Sequence, residues 1–342
     1  MNEQTPKVVS LFSGGGGLDL GFLEAGYNII WANEINKDAA ACYRHNIGDH
    51  IVCKDIYEVD NSDIPFAEVI LGGPPCQSFS LAGNRNTEDA RGQLIWRYLD
   101  ILRSHKPKAF IFENVTGILS AKKKDGTAIF PMLLTEFEKL GYSINWKTLN
   151  AADFGVPQLR KRVFIVGLQG NDKFVFPEET HNADGTGGKL KHVSAQEAIG
   201  DLPLYSDNEE FDHQMPRMSE LDRYIVAHVK PGGNYNDIPD EVPSERIRRL
   251  KRDGGHTTCY GRLLAEKPAY TINTYFNRPN VGCNIHYSYD RLMTIREALR
   301  FQSFPDTYRL VCKSKTSKHL IVGNAVPPVL AKSLAKQLLK YL

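Results

Sequence analysis

The chain has 342 residues, 42% hydrophobic and 24% charged, a composition typical of a globular protein with room for two domains. Lys and Arg total 42 against 40 Asp and Glu, so any surface for a polyanion has to be local. No signal-peptide pattern or apolar run of ~20 residues is present, and the six scattered cysteines suggest neither a zinc site nor a disulfide framework. We therefore expect a cytoplasmic protein without a structural metal.

Short β-branched runs alternate with helical patterns along the first half of the chain. Strands are predicted at Lys7–Phe12, Asn28–Asn33, Glu68–Gly72, Lys108–Asn114, Tyr142–Leu149 and Arg162–Leu168. Helices are predicted at Leu18–Ala25, Lys37–His45, Gly92–Ser104 and Ile129–Leu140. This alternation predicts an α/β fold with a doubly wound, mostly parallel sheet.

The composition of the sequence changes after Pro177. A polar, Gly-rich stretch at His181–Lys191 is typical of a linker. Short, turn-rich segments follow to about Tyr289. After Lys318 the pattern predicts a strand, a turn and an amphipathic helix with one apolar side, made by Leu330, Leu334, Leu338 and Leu339. We predict a catalytic and cofactor-binding domain over 1–178, a smaller domain over 179–308, and a return segment over 309–342 that completes the first domain.

A glycine-rich loop, Phe12–Gly17, follows the first strand and opens the first helix. Its glycines permit positive φ and close approach of a ligand, although a plain tight turn has the same composition. Glu34 ends the second strand, where an acid can bind ribose hydroxyls, and Asp55 could bind a base-edge amino group. The third glycine of a dinucleotide fingerprint is replaced by Asp19, which speaks against NAD and favours another adenosine cofactor.

A cysteine stands in the loop GGPPCQSFS, at Gly72–Ser80, directly behind two prolines that stiffen the backbone. By itself this is equally a loop that leaves a strand with an incidental cysteine. Glu113 ends a later strand of the same predicted sheet. Because carboxyl ends of parallel strands share one edge, we expect Cys76, Glu113, Glu34 and the glycine loop to converge on one crevice.

The last strand of this half begins with Gln158-Leu159-Arg160-Lys161-Arg162. On a strand, Arg160 and Arg162 would point to the same face, as if aimed together at an anion or a carbonyl. A solvated basic edge is the alternative interpretation.

Two further motifs follow later in the chain, at Arg291–Tyr308 and at Gly323-Asn324-Ala325-Val326-Pro327-Pro328. Together the motifs occur in the order and approximate spacing of the DNA cytosine-5 methyltransferases. The chain resembles this family from residue 7 to residue 342. The resemblance leaves only the region around 180–290 without a family pattern. Its one departure is Gly15, where many members carry a larger residue.

The resemblance implies the catalytic roles. Cys76 attacks C6 of cytosine as a thiolate, Glu113 holds and protonates N3, and Arg160, with Arg162 more indirectly, stabilises the base O2 and the site geometry. S-adenosylmethionine supplies the methyl group. The target cytosine must leave the stacked duplex, and the polar segment Ser78–Arg91 is expected to be a mobile loop that closes over DNA.

The resemblance also predicts the cofactor residues. The expected cofactor pocket consists of Phe12, Ser13, Gly14, Gly16, Gly17, Glu34, Ile35, Asp55, Ile56, Pro75, Leu94, Asn324 and Ala325. The second domain lacks a family pattern, but its basic and mixed polar–aromatic segments are typical of surfaces that contact phosphates and base edges. Double-stranded DNA is expected to contact Gln77, Ser80, Arg91, Arg248, Arg249, Tyr260, Arg262, Asn273 and Arg278.

The nearest alternative is a tRNA cytosine-5 methyltransferase of the same fold, but the Cys-Phe-Thr signature of those relatives is missing and the second domain favours duplex DNA. A non-catalytic DNA-binding relative would not need the intact cysteine, acid and arginine. A nicotinamide oxidoreductase leaves the Pro-Pro-Cys loop unexplained. We expect a monomeric, nucleoid-associated enzyme of the prokaryotic restriction-modification type, with a companion endonuclease that acts on the same sequence.

Overall fold

The computed structural model describes residues 5–75, 93–123, 126–312 and 314–342. Two compact units divide the chain. The first comprises residues 1–150, 161–178 and 330–342, and the second comprises 151–160 and 179–329. The functional domain bounds expected from the sequence stay a prediction.

The first unit is built on a seven-stranded sheet with the order β3-β2-β1-β4-β5-β8-β6. Its strands are β1 (Lys7–Leu11), β2 (Asn28–Asn33), β3 (Ile51–Val52), β4 (Val69–Gly72), β5 (Ala109–Val115), β6 (Tyr142–Asn150) and β8 (Lys161–Gln169). The first five pair in parallel, and β8 runs antiparallel to both β5 and β6. The predicted doubly wound, mostly parallel α/β sheet is confirmed.

Helices in the first half of the chain are α1 (Gly17–Glu24), α2 (Lys37–Asn46), α3 (Gln93–His105) and α4 (Ile129–Lys139), each within one residue of its predicted bounds. Asn36 caps α2 by accepting hydrogen bonds from the backbone N–H groups of Asp38 and Ala39. The core beside the sheet is rich in aromatic rings, and Phe110 and Phe137 pack with centroids 4.6 Å apart. This contact packs α4 against β5.

The second unit contains short elements: β7 (Gln158–Leu159), β9 (His181–Asn182), β10 (Leu190–Lys191), β11 (Ala269–Tyr270), α5 (Ala195–Ile199), α6 (Glu220–His228), α7 (Glu245–Asp253), α8 (Ile295–Phe301) and α9 (Lys315–Asn324). One apolar cluster of this unit includes Ile225, Val226, Ile247 and Ile285. The expected linker at 181–191 instead contains β9 and β10, which pair in parallel.

The tail differs from its prediction at one element. The strand expected after Lys318 is wrong, because these residues form α9, which Ser314 caps by accepting from the N–H of Ser317. A short apolar run such as His319–Val322 fits either structure, and the cap settles it in favour of a helix. The final helix α10 (Pro328–Leu338) is confirmed, with Leu330, Leu334 and Leu338 buried. Leu339 follows its end and is partly exposed. Among the described residues, no helix has the length and apolar character needed to span a bilayer.

Candidate active site

The glycine loop bends sharply between β1 and α1. Phe12 has φ +57°, Gly14 φ +56° and Gly16 φ +82°, the left-handed region that a bulky residue such as Phe12 seldom enters. A Cβ on Gly16 would come within 2.0 Å of Ile47 Cδ1, whereas one on Gly14 would meet open space. Gly16 is therefore required by packing, and Gly14 leaves the loop open to a ligand.

Glu34, at the end of β2, holds this loop in place. Its carboxylate accepts a hydrogen bond from the N–H of Gly14 at 2.9 Å and another from the N–H of Asn36 at 2.8 Å. Burial raises the pKa of Glu34, and these N–H donors partly counteract that effect. Next to it, the side chain of Ile35 is 63% exposed, an apolar surface beside a carboxylate. An acid and an exposed apolar side chain together fit the ribose and the flat base of an adenosine.

The other predicted cofactor residues of the first unit occupy varied positions. Asp55 caps a 3-10 turn by accepting from the N–H of Tyr57 at 3.1 Å. The side chain of Ile56 is buried in the core, so only its backbone could face a ligand. Leu94 is half-buried and Pro75 is exposed. In the second unit, Asn324 is exposed at the last position of α9, and Ala325, which follows the helix, is half-buried.

Glu113 lies beside the start of the cysteine loop. Gly72 pairs with Phe112, so the chain that leaves β4 runs past the end of β5. A Cβ on Gly73 would come within 2.9 Å of Glu113 Oε2, and the amide of Asn114 donates to the carbonyl of Pro74 at 2.9 Å. The first residues of the loop are therefore fixed against a buried carboxylate. Cys76 itself, with Gln77, Ser80, Arg91 and the expected mobile loop, lies outside the described residues.

Arg162 forms an ion pair with this carboxylate, with its Nε 3.1 Å from Glu113 Oε1 and both side chains about nine-tenths buried. The antiparallel direction of β8 explains the contact, since β8 begins where β5 ends and Val115 pairs with Arg162. Burial lowers the pKa of Arg162, and the neighbouring Glu113 partly restores it. The pair can present a carboxyl oxygen and guanidinium N–H groups to a planar ring that carries both a ring nitrogen and a carbonyl.

The guanidinium of Arg160 makes its contacts elsewhere, and the expectation that Arg160 and Arg162 point to the same face is wrong. Its fully buried guanidinium donates to the carbonyls of Ile272 at 2.9 Å and Gly323 at 2.7 Å, all within the second unit. The chain changes sheets between the arginines, because β7 pairs with β11 while β8 pairs with β5 and β6. The alternation of side chains between the two faces of a strand therefore does not continue from Arg160 to Arg162. The structure favours Arg160 as a positioning residue and Arg162 as the arginine at the site.

Two of the nine residues expected at DNA are interior residues of the second unit, which corrects that expectation. Arg262 is buried, and its guanidinium donates to the carbonyls of Val226, Val229, His286 and Tyr289 and to the carboxylate of Asp290. Tyr260 is also buried, with φ +56°. The contacts of Arg262 use the donors that a base edge would need, and the side chain of Tyr260 is enclosed by its own unit.

Other predicted DNA residues do face solvent. Arg248 and Arg249 are exposed on α7, and exposed Arg278 lies over the ring of Tyr275 at 5.1 Å. Asn273 is half-buried and builds a turn, donating to the carbonyl of Val281 and accepting from the N–H of Tyr275. We call residues 271–280 the recognition loop, after the DNA contacts that the sequence predicts for Asn273 and Arg278.

Sequence reasoning missed two features of this region. Tyr275, about half exposed, lies in the recognition loop, and Arg246 of α7 donates to the carbonyl of Asn280 at the end of that loop. An aromatic residue among polar turn residues was the available signal for Tyr275. The contact of Arg246 has no signal in the sequence.

Comparisons with known proteins agree with this geometry. The family model described as C-5 cytosine-specific DNA methylase matches residues 6–340. The chain is 39% identical to the type II methyltransferase M.NgoFVII of Neisseria gonorrhoeae, over 99% of this chain and 87% of that protein. It is 32% identical to the type II methyltransferase M1.HphI of Haemophilus parahaemolyticus, over 97% of this chain and 86% of that protein.

A solved structure supports the same assignment of fold. The crystal structure of a prophage-encoded protein from E. coli matches with a TM-score of 0.66 and 25% identity, over 98% of this chain and 99% of that one. With a family model that spans nearly every residue, the chain belongs to the C-5 cytosine-specific DNA methylase family.

Proposed function

We propose that this enzyme transfers a methyl group from S-adenosylmethionine to C5 of a cytosine flipped out of double-stranded DNA, through a transient bond between Cys76 and C6. The observation that carries the proposal is the buried Glu113–Arg162 pair at 3.1 Å, beside the residues that lead into the cysteine loop. Family membership implies a dependence on S-adenosylmethionine.

The glycine loop supports this cofactor, because its open side at Gly14 is bordered by Glu34 and the exposed Ile35. S-adenosylmethionine supplies an electrophilic methyl group. In the proposal, Glu34 accepts from ribose hydroxyls, Ile35 covers one face of the adenine, and Asp55 accepts from the adenine amino group. Loop N–H groups near the start of α1 bind the remaining polar atoms.

The protein's own groups make the cytosine reactive. Attack by the Cys76 thiolate on C6 pushes electron density toward C5 and N3, which turns C5 into a nucleophile. Glu113 protonates or hydrogen-bonds N3 as negative charge develops there. Arg162 holds the Glu113 carboxylate and donates to the base O2, a role that the family resemblance assigned chiefly to Arg160. Once C5 carries the methyl group, loss of the C5 proton to water restores the C5–C6 double bond, breaks the bond between C6 and Cys76, and releases the thiolate.

Duplex DNA is proposed to contact the exposed arginines of α7 and the recognition loop. Arg248 and Arg249 provide positive charge for phosphates, while Tyr275 and Arg278 provide a flat, cationic surface for base edges. Gln77, Ser80 and Arg91 stay predicted contacts from the cysteine loop. We also propose that the enzyme is a monomer and associates with the nucleoid through DNA.

Bisulfite sequencing tests the activity. Unmethylated DNA is incubated with S-adenosylmethionine and either the native enzyme or Cys76→Ser. The native enzyme should protect cytosines in one sequence context, and the variant should protect none. Unmodified DNA despite bound S-adenosylmethionine would contradict the proposal.

The names of the relatives support a role in restriction-modification. We propose that methylation protects the host DNA from a companion endonuclease. DNA from cells that make this protein should resist an endonuclease specific for the context found by bisulfite sequencing. Complete cleavage by that endonuclease would exclude protection.

A further inference from the structure

A buried carboxyl lies beneath the glycine loop, and the mechanism above does not use it. Asp19, in the first turn of α1, is fully buried, and the Ser10 hydroxyl donates to its Oδ1 at 2.7 Å. The Ser13 hydroxyl lies 3.0 Å from Ser10 Oγ and 3.1 Å from the Ser10 carbonyl oxygen. These contacts connect an interior acid to a half-buried hydroxyl on the glycine loop.

The charge of Asp19 fixes the direction of these hydrogen bonds. An ionised carboxylate can only accept, so the Ser10 hydroxyl has to donate to it. Ser10 Oγ then has lone pairs available for the proton of Ser13. Because that proton turns inward, Ser13 presents lone pairs on its other side. A protonated Asp19 could donate to Ser10 instead. The Ser10 hydroxyl could then donate to Ser13 and occupy one of its lone pairs, while the Ser13 proton stays on the Ser10 carbonyl.

The surroundings of Asp19 allow it to change charge in mild acid. Burial raises its pKa to about 6, while the hydroxyls of Ser10 and Tyr43 stabilise the charged form. Tyr43 reaches Asp19 from α2, and its hydroxyl lies 3.1 Å from Nε2 of His50, whose pKa is lowered by burial. The amino-terminal end of α1 also favours an anion. Glu34 is the other buried acid at the loop, and burial raises its pKa too.

We propose that ionised Asp19 is a positioning residue that orders Ser10 and Ser13, so that the glycine loop presents a hydrogen-bond acceptor and negative potential to a cationic methyl donor. This inference rests on the proposed function. S-adenosylmethionine carries a positive sulfonium, whereas its product S-adenosylhomocysteine has a neutral sulfur. The hydroxyl pair therefore favours the donor over the product and assists their exchange between turnovers.

The test measures how well the enzyme distinguishes the two ligands. Isothermal titration calorimetry gives the ratio of the Kd for S-adenosylhomocysteine to that for S-adenosylmethionine, between about pH 5 and pH 7, where the α-amino group of each ligand stays mostly protonated. For the native enzyme this ratio should fall roughly fivefold as Asp19 gains its proton, with a midpoint near the pKa of that acid. Asp19→Asn should show the low ratio throughout, and Ser10→Ala should show a low ratio at neutral pH.

Asp63→Asn is the matched control, because Asp63 is an exposed acid in a separate 3-10 turn, and it should retain the native profile. Melting temperatures verify that each variant is folded. A pH step that persists in Asp19→Asn would assign the effect to Glu34 and overturn the inference. Equal weakening of both ligands by Asp19→Asn, or a native ratio in Ser10→Ala, would also overturn it. If the native enzyme bound neither ligand, the proposed function itself would fail.

Discussion

The guanidinium of Arg162 is held against Glu113 in a nearly dry site, where a charged donor acts strongly on developing charge. We predict that Arg162→Met lowers the single-turnover methylation rate by about a hundredfold, and that Arg162→Lys has an intermediate rate because it keeps the charge but loses the planar fork. Quenched-flow assays with saturating DNA and cofactor measure the single-turnover methylation rate of each variant.

Arg44→Met is the matched control, since Arg44 is a half-exposed arginine paired with Asp49 on the surface. It should leave the rate unchanged. A native rate for Arg162→Met would remove Arg162 from the active site.

Asp19 makes a second prediction, for stability. Its pKa is raised to about 6 in the folded chain from an ordinary value of 3.8, so between these values the folded state binds the proton more tightly. Its contribution to stability is therefore present at low pH and is lost as pH rises through that window, by about 3 kcal/mol. Urea unfolding should show Asp19→Asn gaining about 2 kcal/mol relative to the native protein from pH 4 to pH 7, most of the full change. A constant difference between the two proteins would contradict the raised pKa.

The turn from β1 into α1 depends on a glycine for two separable reasons. Gly16 has φ +82° and no room for a Cβ beside Ile47 and Tyr43, whereas Gly26, after α1, has φ +94° and open space around it. We predict that Gly16→Ala destabilises the protein by about 1–3 kcal/mol more than Gly26→Ala, because only the former adds overpacking to backbone strain. Urea unfolding of the two variants measures this difference. Equal losses would mean that packing at Gly16 is unimportant.

The elements of the first unit could be predicted because their signals are local. Buried strands such as Asn28–Asn33 are dense in β-branched and aromatic residues, and helices such as α2 begin with a capping residue. The error at α9 arose where His319–Val322 is too short for its period to distinguish strand from helix. The error at Arg160 arose because the chain leaves one sheet for another between two alternating residues, which no local pattern reveals.

The second unit has few periodic elements, and its side chains were therefore harder to assign from the sequence. Arg262 and Arg278 both stand in turn-rich segments, yet one is buried among carbonyl groups and the other lies over Tyr275 in solvent. Residue type alone cannot distinguish an arginine that supports a loop from one that faces a ligand. The burial of each guanidinium makes that distinction.

DNA binding by the whole molecule should depend on the exposed charge of α7. Replacement of both Arg248 and Arg249 by Ala should reduce the slope of log Kd against log salt by about 2, since each phosphate contact releases about one counterion. Fluorescence anisotropy of a labelled duplex over a range of salt concentrations measures the slope. Arg44→Ala with Arg103→Ala removes two exposed arginines of the first unit and should leave it unchanged. Equal slopes for the α7 double variant and the native enzyme would place phosphate binding elsewhere.

The most direct test of the proposed chemistry is covalent trapping on a duplex that contains 5-fluorocytosine at the methylated position. Fluorine cannot leave as the C5 proton does, so the enzyme should stay bonded to C6 after methyl transfer. With S-adenosylmethionine present, denaturing electrophoresis should show an adduct, and mass spectrometry of its peptides should locate the bond at Cys76. Binding of the duplex and the cofactor without any adduct, or an adduct at another residue, would contradict the account.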